Sequence, residues 1–173
     1  MDSMAVIAGV HEGSYEIGIC GTPPPAEYGL QSFKLPGDEI TLIVPPGHRL
    51  AAKERVSFTD IEAEPLIQRE ATSGTQRSVE SLLSKAGYSA SRLMPHLTVG
   101  SSQAVISAVE AGAGIAFISN LAAAKAVELG TVKQLAFSGL KLKRDFYCIY
   151  HAEHLSSRLL QEFIGFIRER ASA

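Results

Sequence analysis

The sequence predicts an α/β fold in two similar lobes, each layered around a largely parallel sheet. Strand-like and helix-like segments alternate along the chain. Several strand candidates are nearly continuous apolar runs, as strands covered on both faces are. A pattern also recurs. Ala5-Val6-Ile7-x-x-Val10-x-x-Gly13 returns at identical spacing as Ala104-Val105-Ile106-x-x-Val109-x-x-Gly112, and each copy runs into an apolar strand, YEIGIC or GIAFIS.

The elements follow in order. Tyr15–Cys20, Ile40–Val44, Pro65–Gln68, Leu97–Val99, Gly114–Ser119, Val132–Phe137 and Asp145–Tyr150 read as strands. Val79, Leu82, Leu83 and Ala86 follow the helical i, i+3, i+4, i+7 spacing, with Gly87 placed to end that helix. Val105, Ile106 and Val109 mark another, and the Ala-rich stretch 121–129 stops at Gly130. Leu159, Leu160, Phe163 and Ile167 give the last helix its apolar face, with Ser156 as its expected N-cap.

The repeat is unbalanced. A strand, a helix and a strand (65–68, 76–86, 97–99) precede the second copy, and almost nothing precedes the first. Lobe one is therefore expected to be incomplete at its N-terminus. It would comprise 1–45 plus 144–173, and lobe two 46–143, with Pro45-Pro46-Gly47 punctuating the crossing.

Composition limits the function. At 173 residues, with 46% hydrophobic and 20% charged, the chain has ordinary globular composition and enough length for a core. A net charge of −2 offers no phosphate-tracking surface, which argues against DNA binding by this chain alone. Cys20 and Cys148 are far apart and form no CxxC. That argues against a disulfide scaffold or zinc cluster and fits a reducing, cytoplasmic setting. No apolar run approaches the ~20 residues of a membrane span, and MDSMAVIAGVHEG lacks the charged and long apolar regions of a signal peptide.

The most informative segment is Arg69-Glu70-Ala71-Thr72-Ser73-Gly74-Thr75-Gln76-Arg77, which follows a strand and opens a helix. Ser73 with Gln76 is a capping-box pattern. Gly74 lets backbone approach a ligand closely. Free N–H groups at the helix start favour an anion, the Ser73 and Thr75 hydroxyls add donors, and Arg69 or Arg77 adds charge. Gly100-Ser101-Ser102-Gln103 repeats the arrangement after another strand, and Thr22 leaves the strand ending at Cys20. In doubly wound sheets the carboxyl ends of strands line the binding crevice. The effector-binding candidates are thus Thr22, Arg69, Ser73, Gly74, Thr75, Gly100, Ser101 and Ser102, although plain helix capping would use the same hydroxyls.

Catalytic signals are weak. GxSxG, P-loop and HExxH motifs are absent. His151-x-x-His154 reads as a solvated loop, and Cys20 as a small buried apolar residue. Neither a catalytic residue nor a metal or cofactor is expected.

The order of features resembles the effector-binding domain of LysR-type transcriptional regulators. GSYEIGICG is similar to the family strand G-x-x-D-[LI]-[AG]-[IL], ITLIVPPGHRLA to the hinge segment l-x-l-v-x-P-x-x-H-P-L-A, and AVEAGAGIAFIS to l-V-x-a-G-x-G-I-a-l-l-P. The closing helix LLQEFIGFIRE also fits. Glu16, Arg49 and Ser119 depart from the usual Asp, Pro and Pro. REATSGTQ resembles the R-E-x-G-S-G-T-R of members that respond to small anions.

The resemblance implies a periplasmic-binding-protein fold of type 2, with an anionic effector bound between two lobes to control transcription. It also implies a homo-oligomer in which effector domains pair head to tail through the first helix of each lobe. DNA would be contacted only through an N-terminal helix-turn-helix absent from this chain. With the opening β-α-β missing, YEIGIC would be left unpaired on one side, leading to association through that edge or a poorly ordered lobe one. A transport solute-binding protein, or a small enzyme on the same scaffold, stands as the alternative.

Overall fold

The computed structural model describes residues 2–93, 95–138 and 141–171. Its elements are α1 (Ser3–His11), β1 (Ile17–Cys20), β2 (Gln31–Val44), β3 (Arg55–Val56), α2 (Phe58–Ile61), β4 (Leu66–Arg69), α3 (Gly74–Lys85), β5 (Pro95–Val99), α4 (Ser102–Glu110), β6 (Ile115–Ser119), α5 (Asn120–Glu128), β7 (Lys133–Phe137), β8 (Leu142–Tyr150) and α6 (Arg158–Ala171). The chain divides into two compact units. Met1–Gly37, Thr72–Gly74 and Arg144–Ala173 form one; Asp38–Ala71 and Thr75–Lys143 form the other. The first boundary falls inside β2.

In the first unit β1, β8 and the opening half of β2 lie side by side, with β1 at the end of the sheet. β1 and β8 run antiparallel, Ile17 opposite Tyr150 and Cys20 opposite Tyr147. Alternation then sends Cys20 and Ile149 to one face, where Ile7 and Val10 of α1 cover them. Ile17 and Tyr150 go to the other, under Leu160 and Ile164 of α6. Ser157, one residue later than expected, caps α6: its hydroxyl oxygen accepts from the Leu160 N–H at 3.4 Å. The side chains of Ser156 and His154 lie outside the described residues.

In the second unit β4 pairs in parallel with both β5 and β6, the helices α3 and α4 providing the crossovers. The expected parallel run ends there. β2 pairs antiparallel with β6 on one side and with β7 on the other, so the sheet is mixed. The physical reason lies in the connections. A single helical crossover returns the chain in the same direction, as in β4–α3–β5, whereas β2 and β8 pair with strands distant in sequence, Ile17–Cys20 with β8 and Ile115–Ser119 and Lys133–Phe137 with β2, so no such unit fixes their direction. Every residue of β6 is buried. Ile115 and Phe117 face Val79, Leu83, Phe58 and Ile61, while Ala116 and Ile118 face Val105, Val109 and Ala123. This is why the sequence reads as an unbroken apolar run.

The hinge-like PPGHRLA segment has a local rationale. His48 Nδ1 accepts from the Leu50 N–H at 3.2 Å, which assigns the ring proton to Nε2, 3.1 Å from Glu64 Oε2. Among the described residues no helix is long and apolar enough to cross a membrane.

Candidate functional site

The repeated sequence pattern is a repeated structure. α1 and α4 each begin after a capping side chain that accepts from the N–H three residues on. Asp2 takes Ala5 at 2.9 Å and Ser101 takes Ala104 at 3.1 Å. Each helix is followed by a glycine with positive φ, Gly13 at 75° and Gly112 at 79°, and then by the strand. Asp2 and Ser3 thus stand in the first unit where Ser101 and Ser102 stand in the second. Motif reading missed them, although extending the repeat three positions N-terminally marks both.

In the first unit three turns come together. The Ser3 hydroxyl accepts from the Gly21 N–H at 3.2 Å. Thr72 donates to Asp2 Oδ2 at 3.3 Å. Gly74 packs so tightly that a Cβ there would collide with Ser3 Oγ and stand 3.4 Å from Gly21 Cα. The sequence therefore requires glycine at 74, as a site of close approach by another turn. Ser73, immediately before α3, is only 2% exposed. The Ala5 N–H holds the Asp2 carboxyl below its ordinary range.

Thr22 ends this grouping and has a distinct property. Two buried side-chain oxygens among the described residues lack a hydrogen bond, Thr22 Oγ1 and Glu62 Oε1. Glu62 Oε1 nevertheless lies 2.7 Å from an Arg92 guanidinium nitrogen, so charge compensates it. Thr22 Oγ1 has no such partner, and an unpaired buried hydroxyl is costly.

In the second unit Arg69 joins the ends of β4 and β5. Its Nε and Nη2 reach the two oxygens of Glu70 at 2.8 and 2.6 Å, Nη1 reaches Ser102 Oγ at 3.1 Å, and Nη2 also reaches the Gly100 carbonyl at 3.4 Å. Arg69, Gly100 and Ser102 are thus brought together, and the guanidinium is already occupied. Ser101 and Ser102 act as acceptors here, so their own protons remain available to donate. Thr75 is half-buried in the first turn of α3. Arg77 donates to the Ala71 carbonyl at 3.1 Å and so braces the loop before α3. A separate groove of about 500 Å³ in this unit is lined by Gln68, Glu80, Ser84 and Tyr88, and none of the expected site residues borders it.

A protein-family model described as LysR substrate binding domain matches residues 1–172. The chain belongs to that family. An HTH-type transcriptional regulator of Mycobacterium tuberculosis, itself uncharacterized, is 34% identical over 151 residues, 86% of this chain and 48% of the relative. The chain spans about half the length of the curated relatives it matches. In fold it is similar to the Synechocystis CcmR regulatory domain, solved in complex with 2-PG (TM-score 0.84, 22% identity, 99% of this chain and 80% of the other). It is also similar to a Clostridium perfringens substrate-binding protein solved with bound phosphate (TM-score 0.75, 20% identity, 96% and 78%). The α/β architecture of LysR regulatory domains and type 2 periplasmic-binding proteins is therefore this chain's fold.

Proposed function

We propose that this chain is the ligand-sensing domain of a LysR-type transcriptional regulator, and that it binds a small anionic metabolite at its strand-to-helix turns. The observation that carries the reading is the buried, unpartnered hydroxyl of Thr22, which a ligand oxygen would satisfy. Around it, in the same compact unit, stand the helix starts at Ser3 and Gly74. N–H groups at helix starts and serine hydroxyls are donors suited to carboxylate or phosphate oxygens. The 2-PG held by one structural neighbour and the phosphate held by another support this chemistry.

In this reading the effector shifts the domain toward the conformation that binds it better, and the shift is limited by the difference in affinity between the two states. The regulator acts in the cytoplasm as a homo-oligomer and touches DNA through a separate helix-turn-helix segment. The solute-binding alternative has a fold neighbour behind it, but the sequence relatives are HTH-type regulators. Thermal unfolding of the chain with millimolar inorganic phosphate, sulfate or 2-PG tests the reading. At least one should raise Tm in proportion to the logarithm of its concentration, as binding to the folded state requires. No stabilisation by any of them would count against an anionic effector.

A further inference from the structure

Arg69 carries five N–H groups, and the bonds to Glu70, Ser102 and Gly100 use four of them. Its side chain is 12% exposed and that of Glu70 28%, so the pair is neither a solvated surface contact nor sealed away. The carboxylate takes the Nε and Nη2 edge in the paired, two-bond geometry by which guanidinium binds carboxylates and phosphates. Glu70 thus already fills the position that an anion would take on Arg69. Ser102 and the Gly100 carbonyl hold the guanidinium plane in place from the β5 side. The formal charge of the pair is zero, although this is the cation that the sequence offers to an anionic ligand.

We propose that Glu70 is an internal counter-anion that gates Arg69 and makes the site discriminate by ligand charge. This rests on the reading of these turns as the effector site. Glu70 is the next residue in the chain, so its effective concentration at the guanidinium is on the order of millimolar or above. A monovalent ligand at ordinary concentration exchanges one carboxylate for another and gains nothing. A ligand with two negative charges can displace Glu70 and also take the hydroxyl protons of Ser101 and Ser102. Selectivity for multiply charged ligands thus comes from an intramolecular competitor as well as from the shape of the site.

The test compares the chain with its Glu70→Gln variant, using inorganic phosphate as the multiply charged probe and acetate as the monovalent one, both by calorimetric titration. The rate of Arg69 modification by phenylglyoxal, followed by peptide mass, reports the latch without any ligand. The variant should be modified at least fivefold faster. It should bind acetate at least fivefold more tightly, and the ratio of phosphate to acetate affinity should fall. Unchanged modification and unchanged affinities would overturn the gate while leaving the effector reading intact, provided phosphate binds the parent chain. Weaker binding of both anions by the variant would overturn it too, since Glu70 would then support the ligand instead of competing with it. If neither protein binds either anion, the gate falls, and the effector reading falls with it only if sulfate and 2-PG also fail to stabilise the chain. A Glu70→Asp variant guards against a folding defect: its shorter carboxylate should give intermediate modification rates and an intermediate affinity ratio.

Discussion

Gly37 of β2 lies directly against the main chain of Arg144 in β8: a Cβ at Gly37 would collide with the Arg144 carbonyl oxygen and stand 2.7 Å from its carbonyl carbon. The two residues also mark two of the places where the chain passes between its compact units, at 37/38 and 143/144. The neighbour is backbone, which cannot swing aside as a side chain can. Gly37→Ala should therefore destabilise the chain by at least ~1–3 kcal/mol, the range for overpacking. Gly47→Ala, where nothing lies within 4 Å, should stay within about 0.5 kcal/mol. Urea unfolding of both variants checks this, and equal stabilities would show that β2 and β8 can part at little cost.

The equivalent caps at Asp2 and Ser101 should be equivalent in energy but not in pH dependence. Replacing either by Ala should cost about 1 kcal/mol, the usual loss for an N-cap. The folded-state pKa of Asp2 is depressed, chiefly by the Ala5 N–H. Its contribution is present above the unfolded value of 3.8 and is lost as pH falls through the lower folded value. The Asp2→Ala penalty should thus shrink as pH falls below the unfolded value of 3.8, while the Ser101→Ala penalty persists as long as the fold survives. Stability curves of the two variants over that pH range would separate them.

Both cysteines should resist alkylation in the folded chain. Burial pushes Cys148 up to about 11 and raises Cys20 as well. A buried neutral thiol is a poor nucleophile. Because the folded values are raised, the contribution to stability is full below the unfolded value of 9.0 and is lost as pH rises through the folded one. Iodoacetamide at pH 8 should leave both thiols largely unmodified, and both should react completely in denaturant. Rapid modification of Cys148 in the native chain would mean that the α6 face of its sheet opens readily.

Much of this fold was legible because a burial pattern leaves its period in the sequence. The run 115–118 is apolar since both faces of β6 are covered, and the repeat is visible since Ile7, Val10, Ile106 and Val109 fill matching core positions. What stayed hidden depends on exposed or local geometry. The opening half of β2, from Gln31 to Gly37, is a largely exposed strand whose apolar signal is limited to Phe33 and Leu35 before Pro36-Gly37 breaks the alternation. The antiparallel neighbours of β2 and β6 follow from chain path, which periodicity does not encode. The hydroxyl-bearing turns proposed as the site are legible in the sequence from their place after strands. The Arg69–Glu70 pair was not, because adjacent residues in a strand point to opposite faces. Their meeting depends on the strand ending at Arg69 and the chain turning at Glu70.

The central claim is that the Thr22 hydroxyl is held unpaired for a ligand oxygen, and Thr22→Val tests it most directly. The exchange is nearly isosteric and removes a buried hydroxyl that has no partner in the ligand-free chain. The account predicts unchanged or slightly raised stability in urea, together with affinity for the stabilising anion reduced about 10- to 150-fold, the ~1.5–3 kcal/mol of a hydrogen bond to a charged group. Calorimetric titration of parent and variant with that anion gives the answer. Equal affinities would contradict the account, as would a variant that loses stability to the same extent as it loses binding.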